Sequence, residues 1–361
     1  METAARIADL EAIVDRLPDD TREAFWRVFN VHTSVGHLDP PALMHDWIEN
    51  HFGSVDAVCT QQVVKVTNLV TWEESLFNEL RARRPMPDQT GQWFVEQALE
   101  RSDDPFCNPL ENTPADLFGR VQGQHAITAS NVARADALHS VIIFERHNPF
   151  VFTEEEVIDY VDTALRWAQQ AHAQEPAAKY FFFIWNCSWK AGASILHGHA
   201  QATLTQGMHY AKVEKLRRDS LSYARRYGRS YFDDLFDIHR SLGLGFRWRD
   251  IGVMSYLTPV KDGETLLVAD SMSEDLQRAL YRVLRARRDG RQFHSFNVAL
   301  YMPPIAGVDE DWSHFPTIFR VVSRGDPMSL TTDIGAMELY AASVIGTDPF
   351  LVADQLREGF A

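Results

Sequence analysis

KYFFFIWNCSWKAGASILHGHAQATL, residues 179–204, carries the pattern on which the fold turns. KYFFFIWN at its start is rich in aromatic side chains and reads as a buried strand. LHGHAQATL at its end alternates in the period of a second strand. The loop between them carries Gly192 and Ser194. Residues two apart in a strand share a face, so His197, His199 and Gln201 are expected to line one wall.

Working outward, HSVIIFE (139–145) reads as another buried strand. Thr153 and Glu156 form a T-x-x-E capping box that opens a helix. Val157, Tyr160, Val161, Ala164 and Trp167 then fall on one helical face. Strand, helix, strand, loop, strand is an α+β or α/β unit. SFNVALYM (295–302) and HFPTIFRVVS (314–323) read as strands and 333–345 as a helix, so a comparable unit is suspected to recur without strong identity. Near the N-terminus Ile7, Leu10, Ile13, Val14 and Leu17 recur at helical spacing, and TREAFWRVFN (21–30) continues as helix. No chemical motif lies there, which points to a packing extension or dimer arm. The expected organisation is a helical N-terminal extension (1–58), a half carrying the histidine motif (59–210) and a second half (211–361).

The 361 residues exceed one ordinary core, and 45% hydrophobic with 24% charged residues is a soluble globular composition. A formal net charge of -15 argues against coating nucleic acid, which needs a basic surface. Cys59, Cys107 and Cys187 are few and far apart, so a disulfide framework is not expected and a reducing compartment is. The first residues lack a basic start followed by an apolar block, and no apolar run approaches the roughly 20 residues of a membrane span. A cytoplasmic enzyme with no membrane partner is the expectation.

The histidine motif suits phosphoryl chemistry. Neutral imidazole attacks phosphorus without prior deprotonation, and the phosphoramidate formed is readily discharged. A nearby amide can hold a non-bridging oxygen as charge shifts in the transition state. H-x-H alone more often marks surface or metal-binding histidines. Here Asn186, Gly192 and Ser194 precede it, and small or hydroxylic residues let backbone amides approach phosphates.

NCSWKAGASILHGHAQ (186–201) resembles the active-site segment of galactose-1-phosphate uridylyltransferases, a branch of the histidine-triad superfamily with the motif N-x-G-x-x-x-G-x-S-x-x-H-P-H-x-Q. Asn186, Gly192, Ser194, His197, His199 and Gln201 match; Ser188 and Gly198 replace a glycine and the proline. The resemblance implies an α+β fold of two histidine-triad-like halves, antiparallel sheets with packed helices, beside the helical extension. It makes His199 the nucleophile, Gln201 a contact to the transferred phosphoryl group and Ser194 a donor to the leaving oxygen. Asn186 and Gly192 become substrate-binding.

The likeness extends further. NLVTWEESLFNELRARRP (68–85) is similar to the family's opening stretch and places phosphate-binding arginines at Arg81 and Arg84. Taken alone, R-A-R-R reads as a solvated helix face, as most charge runs do. ITASN (127–131) places Asn131 near the nucleotide. DIGAMELYAAS (333–343) resembles the last helix, with Glu338 near the sugar-reading glutamate and Ser343 near a glutamine. DPFC (104–107) stands where C-P-F-C is usual, which implies a structural zinc on Asp104, Cys107, His147 and His197. The same four residues could instead have lost the metal and bond one another. His294 and His314 are too few to imply a second metal.

The implied activity is a ping-pong transfer of a nucleoside monophosphate, UMP in the family, between a nucleotide sugar and a sugar 1-phosphate. A homodimer and no organic cofactor are implied with it. A dinucleoside-polyphosphate phosphorylase or nucleotide hydrolase is the alternative, and a catalytically silent nucleotide-binding protein a third.

Overall fold

The computed structural model describes residues 5–83, 103–289, 295–327, 329 and 332–361. Its strands are β1 (Phe29–His37), β2 (Thr60–Asn68), β3 (Glu74–Phe77), β4 (Ala126–Ser130), β5 (His139–Phe144), β6 (Ala178–Cys187), β7 (His199–Gln206), β8 (Gly245–Trp248), β9 (Ile251–Ser255), β10 (Thr265–Ala269), β11 (Ser295–Tyr301), β12 (Thr317–Gly325) and β13 (Ser343–Ile345). Nine form one antiparallel sheet in the order β4-β5-β7-β6-β11-β12-β10-β9-β8. A smaller sheet runs β1-β2-β3-β13, with only β13 parallel to its neighbour. The expected α+β class is observed.

The order of the large sheet repeats about its centre. β4-β5-β7-β6 on one side matches β9-β10-β12-β11 on the other, and β6 meets β11 antiparallel at the seam. Each set inserts one long helix between its second and third strands in sequence, Glu154–Gln174 and Glu274–Asp289. The first starts as its sequence dictates. The Thr153 hydroxyl accepts from the Glu156 N–H, and the Glu156 carboxylate accepts from the Thr153 N–H. Its expected apolar face, Val157, Tyr160, Val161, Ala164 and Trp167, is buried against Phe181, Phe183 and Trp185 of β6 and Ala200, Ala202 and Leu204 of β7. Each large side chain so buried contributes roughly 1.5–3 kcal/mol.

Alternation then turns Asn186, His199 and Gln201 to the opposite face of the sheet. Part of that face is covered by a second core, where Phe182, Ala299 and Tyr301 meet the N-terminal helices and the helix Tyr231–Ser241. The part above β4 and β5 carries a small cluster of Ala129, Val141 and Ile143, closed by Phe106 and Ile127.

Three local expectations are corrected. Residues 29–37 continue TREAFWRV as a strand paired with β2, so the extension is stitched into the small sheet. Residues 333–345 are not one helix. A turn of helix, Ala336–Tyr340, is followed by β13, because parallel pairing with β3 outweighs local propensity. LHGHAQATL becomes strand only from His199, leaving His197 ahead of β7. The boundary expected at 58/59 falls inside the short helix Val55–Cys59, and that at 210/211 between β7 and the helix Ala211–Tyr227.

Candidate active site

His199 opens β7 and is buried, with Phe106 standing edge-on to its ring at 5.1 Å between centroids. Its Nδ1–H donates to the carbonyl oxygen of His197 at 2.7 Å. In a neutral imidazole that bond leaves Nε2 with the lone pair. Burial holds the ring below the ordinary histidine value, against the opposing effect of that hydrogen bond. The ring is therefore neutral at pH 7, with Nδ1 fixed as the donor and the lone pair on Nε2.

His197 serves a different cluster. Its Nε2–H donates to the Phe144 carbonyl at 2.9 Å, which turns Nδ1 toward Asp104, Cys107 and His147. Cys107 Sγ lies 3.2 Å from Asp104 Oδ2, 3.6 Å from His147 Nδ1 and 3.7 Å from His197 Nδ1. His147 Nδ1 is 3.2 Å from His197 Nδ1 and 3.1 Å from Asp104 Oδ2. Asp104 approaches His197 Nδ1 through its other oxygen, Oδ1, at 3.4 Å. Donors placed about 2.0–2.3 Å from one tetrahedral zinc stand about 3.3–3.7 Å apart, and the separations here are of that size. Burial, and next the hydrogen bond to Asp104, push the Cys107 thiol up to about 11, an effect that a bound cation would reverse. The expectation that His197, His199 and Gln201 line one wall is corrected: His199 faces the sheet surface, whereas His197 faces this cluster, with the other three residues that the resemblance gave as metal ligands.

The remaining expected residues are placed as follows. Gln201 is half-buried two residues beyond His199, and its Oε1 lies 2.8 Å from His139 Nε2. Asn186 sits on β6 and its Oδ1 accepts from Asn297 Nδ2 at 2.6 Å. Asn297 Oδ1 in turn accepts from Arg324, which grips Asp333 through two bonds of 2.7 and 2.8 Å. Gly192 closes a short turn with φ +100, in the left-handed region, and Ser194 is exposed after it. Asn131 forms a turn, its Oδ1 taking the Ala133 N–H at 3.0 Å. Arg81 is exposed in the turn Glu79–Arg83; Arg84 and His294 lie outside the described residues. Glu338 is half-buried and its carboxylate caps its own helix, accepting the Gly335 N–H at 2.8 Å. Ser343 opens β13 and donates to the Val260 carbonyl at 2.9 Å.

Sequence reasoning missed Phe106 as a wall of the site and His139, Asn297 and Arg324 as partners of motif residues. The alternation in HSVIIFE held a signal for His139, since it shares a face with Val141 and Ile143. A cleft of about 600 Å³ adjoins the metal cluster, lined by Phe106, Leu110, Gln124, Ile127, Ile143 and His147 among others.

The same architecture is found in solved structures. An ADP-glucose phosphorylase from Arabidopsis thaliana, with bound ADP-glucose, superimposes with a TM-score of 0.60 at 15% identity, over 80% of this chain and 96% of that one. A galt-like protein from Arabidopsis thaliana gives 0.58 at 13%, over 81% and 97%. A uridylyltransferase gives 0.55 at 15%, over 69% and 88%. The fold is that of the galactose-1-phosphate uridylyltransferase-like proteins. By sequence, no protein-family description and no curated protein matches the chain. On the uridylyltransferase-like fold, the His199 motif occupies the first unit of the large sheet, one strand from the seam. No helix among the described residues is long and apolar enough to cross a membrane.

Proposed function

We propose that the protein moves a nucleoside monophosphate, UMP in the first instance, between a nucleotide sugar and a second phosphate through a covalent nucleotidyl-His199. The observation that carries this reading is the 2.7 Å bond from His199 Nδ1 to the His197 carbonyl, which leaves Nε2 as the nucleophile. The Nε2 lone pair attacks the α-phosphorus, a P–N bond forms, and the P–O bond to the sugar phosphate breaks. The sugar phosphate departs with the bonding electrons. An oxygen of the second phosphate then attacks the same phosphorus, and the P–N bond breaks to restore neutral His199. Ser194 would donate to the leaving oxygen, and Gln201 would hold a non-bridging oxygen as charge develops. Arg81 and Arg84 would neutralise phosphates, and Asn131, Asn186, Gly192 and Glu338 would border the substrate.

Similarity to an ADP-glucose phosphorylase favours inorganic phosphate as a second acceptor to be tried beside sugar 1-phosphates. The first half-reaction is shared by both readings. Asp104, Cys107, His147 and His197 would hold one structural zinc, which ties three chain segments together beneath the nucleophile. The molecule is read as halves 59–210 and 211–361 behind the extension 1–58, acting as a cytoplasmic homodimer without an organic cofactor.

Intact-protein mass after mixing with UDP-glucose, UDP-galactose or ADP-glucose should rise by one nucleoside monophosphate. His199→Gly should abolish the rise; an adduct that survives it would refute the assignment. Arg81→Ala or Arg84→Ala should lower nucleotide-sugar use at least tenfold, about 1.4 kcal/mol, and Arg83→Ala far less. Equal losses at all three would point to diffuse charge.

A further inference from the structure

We infer that His139 is a positioning residue that fixes which end of the Gln201 amide faces the reacting phosphoryl group. The inference rests on the nucleotidyl-transfer reading above. His139 is the first residue of β5 and only 4% exposed. Its partner in the sheet register is Thr203 of β7, two residues beyond Gln201, so its ring reaches along the same face toward the motif.

The hydrogen bonds settle the tautomer. The backbone N–H of Ala135 donates to His139 Nδ1 at 2.9 Å, and a backbone amide can only donate. Nδ1 is therefore the acceptor nitrogen and Nε2 carries the proton. Nε2 lies 2.8 Å from Gln201 Oε1 and 3.2 Å from the Asn131 amide nitrogen; once protonated it can donate only to the oxygen, so His139 donates to Gln201, which accepts with its carbonyl oxygen. Burial keeps the ring below the ordinary histidine value, and its hydrogen bond to Gln201 opposes that only in part, in keeping with a neutral ring.

A glutamine amide presents a donor and an acceptor that are nearly the same shape. Rotating it by half a turn would aim Oε1 at an anionic phosphoryl oxygen, which repels it. With Oε1 taken by His139, the amide is locked with NH2 outward, and that group has no hydrogen-bond partner among the described residues. The loop Asn131–Leu138 supports the arrangement. Asn131 Oδ1 takes the Ala133 N–H, and Arg134 donates to Ser130 Oγ, which holds Ala135 where its N–H meets the ring. His139 touches no reacting atom. It acts through Gln201.

The test is a double-mutant cycle read on single-turnover formation of the His199 adduct. His139→Leu keeps the ring volume approximately and removes the donor. It should slow adduct formation about tenfold at saturating nucleotide sugar while leaving KM within twofold. His139→Gln places an amide N–H near the position of Nε2 and should recover most of the rate. In a Gln201→Ala background, His139→Leu should cost nothing further, because its effect passes through an amide that is gone. Additive losses in the cycle, or failure of His139→Gln to rescue while the melting temperature stays at the wild-type value, would overturn the inference. Should His139→Leu fold poorly, the comparison of His139→Gln with Gln201→Glu decides it: the first is expected to be nearly wild-type and the second, which can present only acceptors, at least tenfold slower. Wild-type protein that forms no adduct with any nucleotide sugar would overturn the transfer reading and this inference together. A wild-type adduct with an unaffected His139→Leu would overturn this inference alone.

Discussion

A Cβ placed on Gly198 would meet the Arg146 carbonyl oxygen at 2.9 Å and the Phe144 ring at 2.9 Å. The backbone there is also fully used, since Gly198 N–H donates to the His147 carbonyl and Phe144 N–H donates to the Gly198 carbonyl. Proline, which the resembling motif carries at this place, would forfeit the first of those bonds. Gly198→Ala is expected to cost about 1–3 kcal/mol through forced shifts, measurable as a lower urea midpoint. It should also slow adduct formation, because His197 and His199 flank the strained point. A variant as stable and as fast as wild type would show the space to be less tight than drawn. Ser188 is the other departure from the motif, and it adopts φ 76 and ψ 167, a conformation nearly confined to glycine. Its hydroxyl and that of Ser295, both buried, lie 2.6 Å apart. Ser188→Gly alone would leave the Ser295 hydroxyl without that partner. Ser188→Gly with Ser295→Ala removes both the strain and the orphan, and should raise stability by about 1 kcal/mol or more. No gain in calorimetric melting temperature would argue against strain at Ser188.

The four residues of the proposed zinc site sit on three separate segments: the turn Pro105–Cys107 with its cap Asp104, the chain after β5 and the chain before β7. Asp104 has two roles among them, for its Oδ1 also caps the turn by accepting the Phe106 N–H at 2.8 Å. Asp104→Cys should therefore act in opposite directions. With zinc present a second thiolate should tighten binding and raise the melting temperature, because a ligand at a hundred times its Kd adds about 2.7 kcal/mol. With chelator present the lost cap should lower it, by about 0.5–2 kcal/mol. Elemental analysis without chelator and melting curves with and without zinc decide between these; no metal and no response to zinc would mean that the quartet only bonds within itself. At this scale the sequence was legible where local signals agreed. The capping box and apolar face of Glu154–Gln174 needed nothing outside the segment. β1 and β13 were hidden because each is decided by its partner strand, β2 or β3. The His139–Gln201 contact and the Asn297–Arg324 chain were hidden for the same reason: alternation gives the face that His139 takes, but which residue it meets between β5 and β7, or between β6, β11 and β12, is a matter of register. The quartet was legible only by resemblance, since Asp104 in DPFC carries no metal signature of its own.

Across the whole molecule, the small sheet is fastened to the second unit of the large one by a charged clamp. Arg320 of β12 donates to Glu264 at 2.6 Å and to Glu73, just ahead of β3, at 2.8 Å. Tyr256 donates to the other oxygen of Glu73, and Asn68 of β2 donates to Tyr231 and Tyr256. Glu264 is almost wholly buried, and its second oxygen takes the Val260 N–H at 2.7 Å. The guanidinium thus stands between two carboxylates that belong to different sheets. Removing it leaves Glu264 buried without its cation, as an unpaired carboxylate or, since burial already pushes its pKa up, as a carboxyl that must take up a proton; Arg320→Ala should therefore cost about 3–5 kcal/mol, more than the loss of the pair itself. Arg320→Met with Glu264→Gln, which removes the charges of the Arg320–Glu264 pair and leaves Glu73 its bond from Tyr256, should recover much of that loss, because desolvating the pair cost energy in the first place. Urea unfolding of the two variants supplies the comparison. If Arg320→Ala unfolds within 1 kcal/mol of wild type, or the double variant is no more stable than the single one, the clamp does not hold the sheets together in the way proposed.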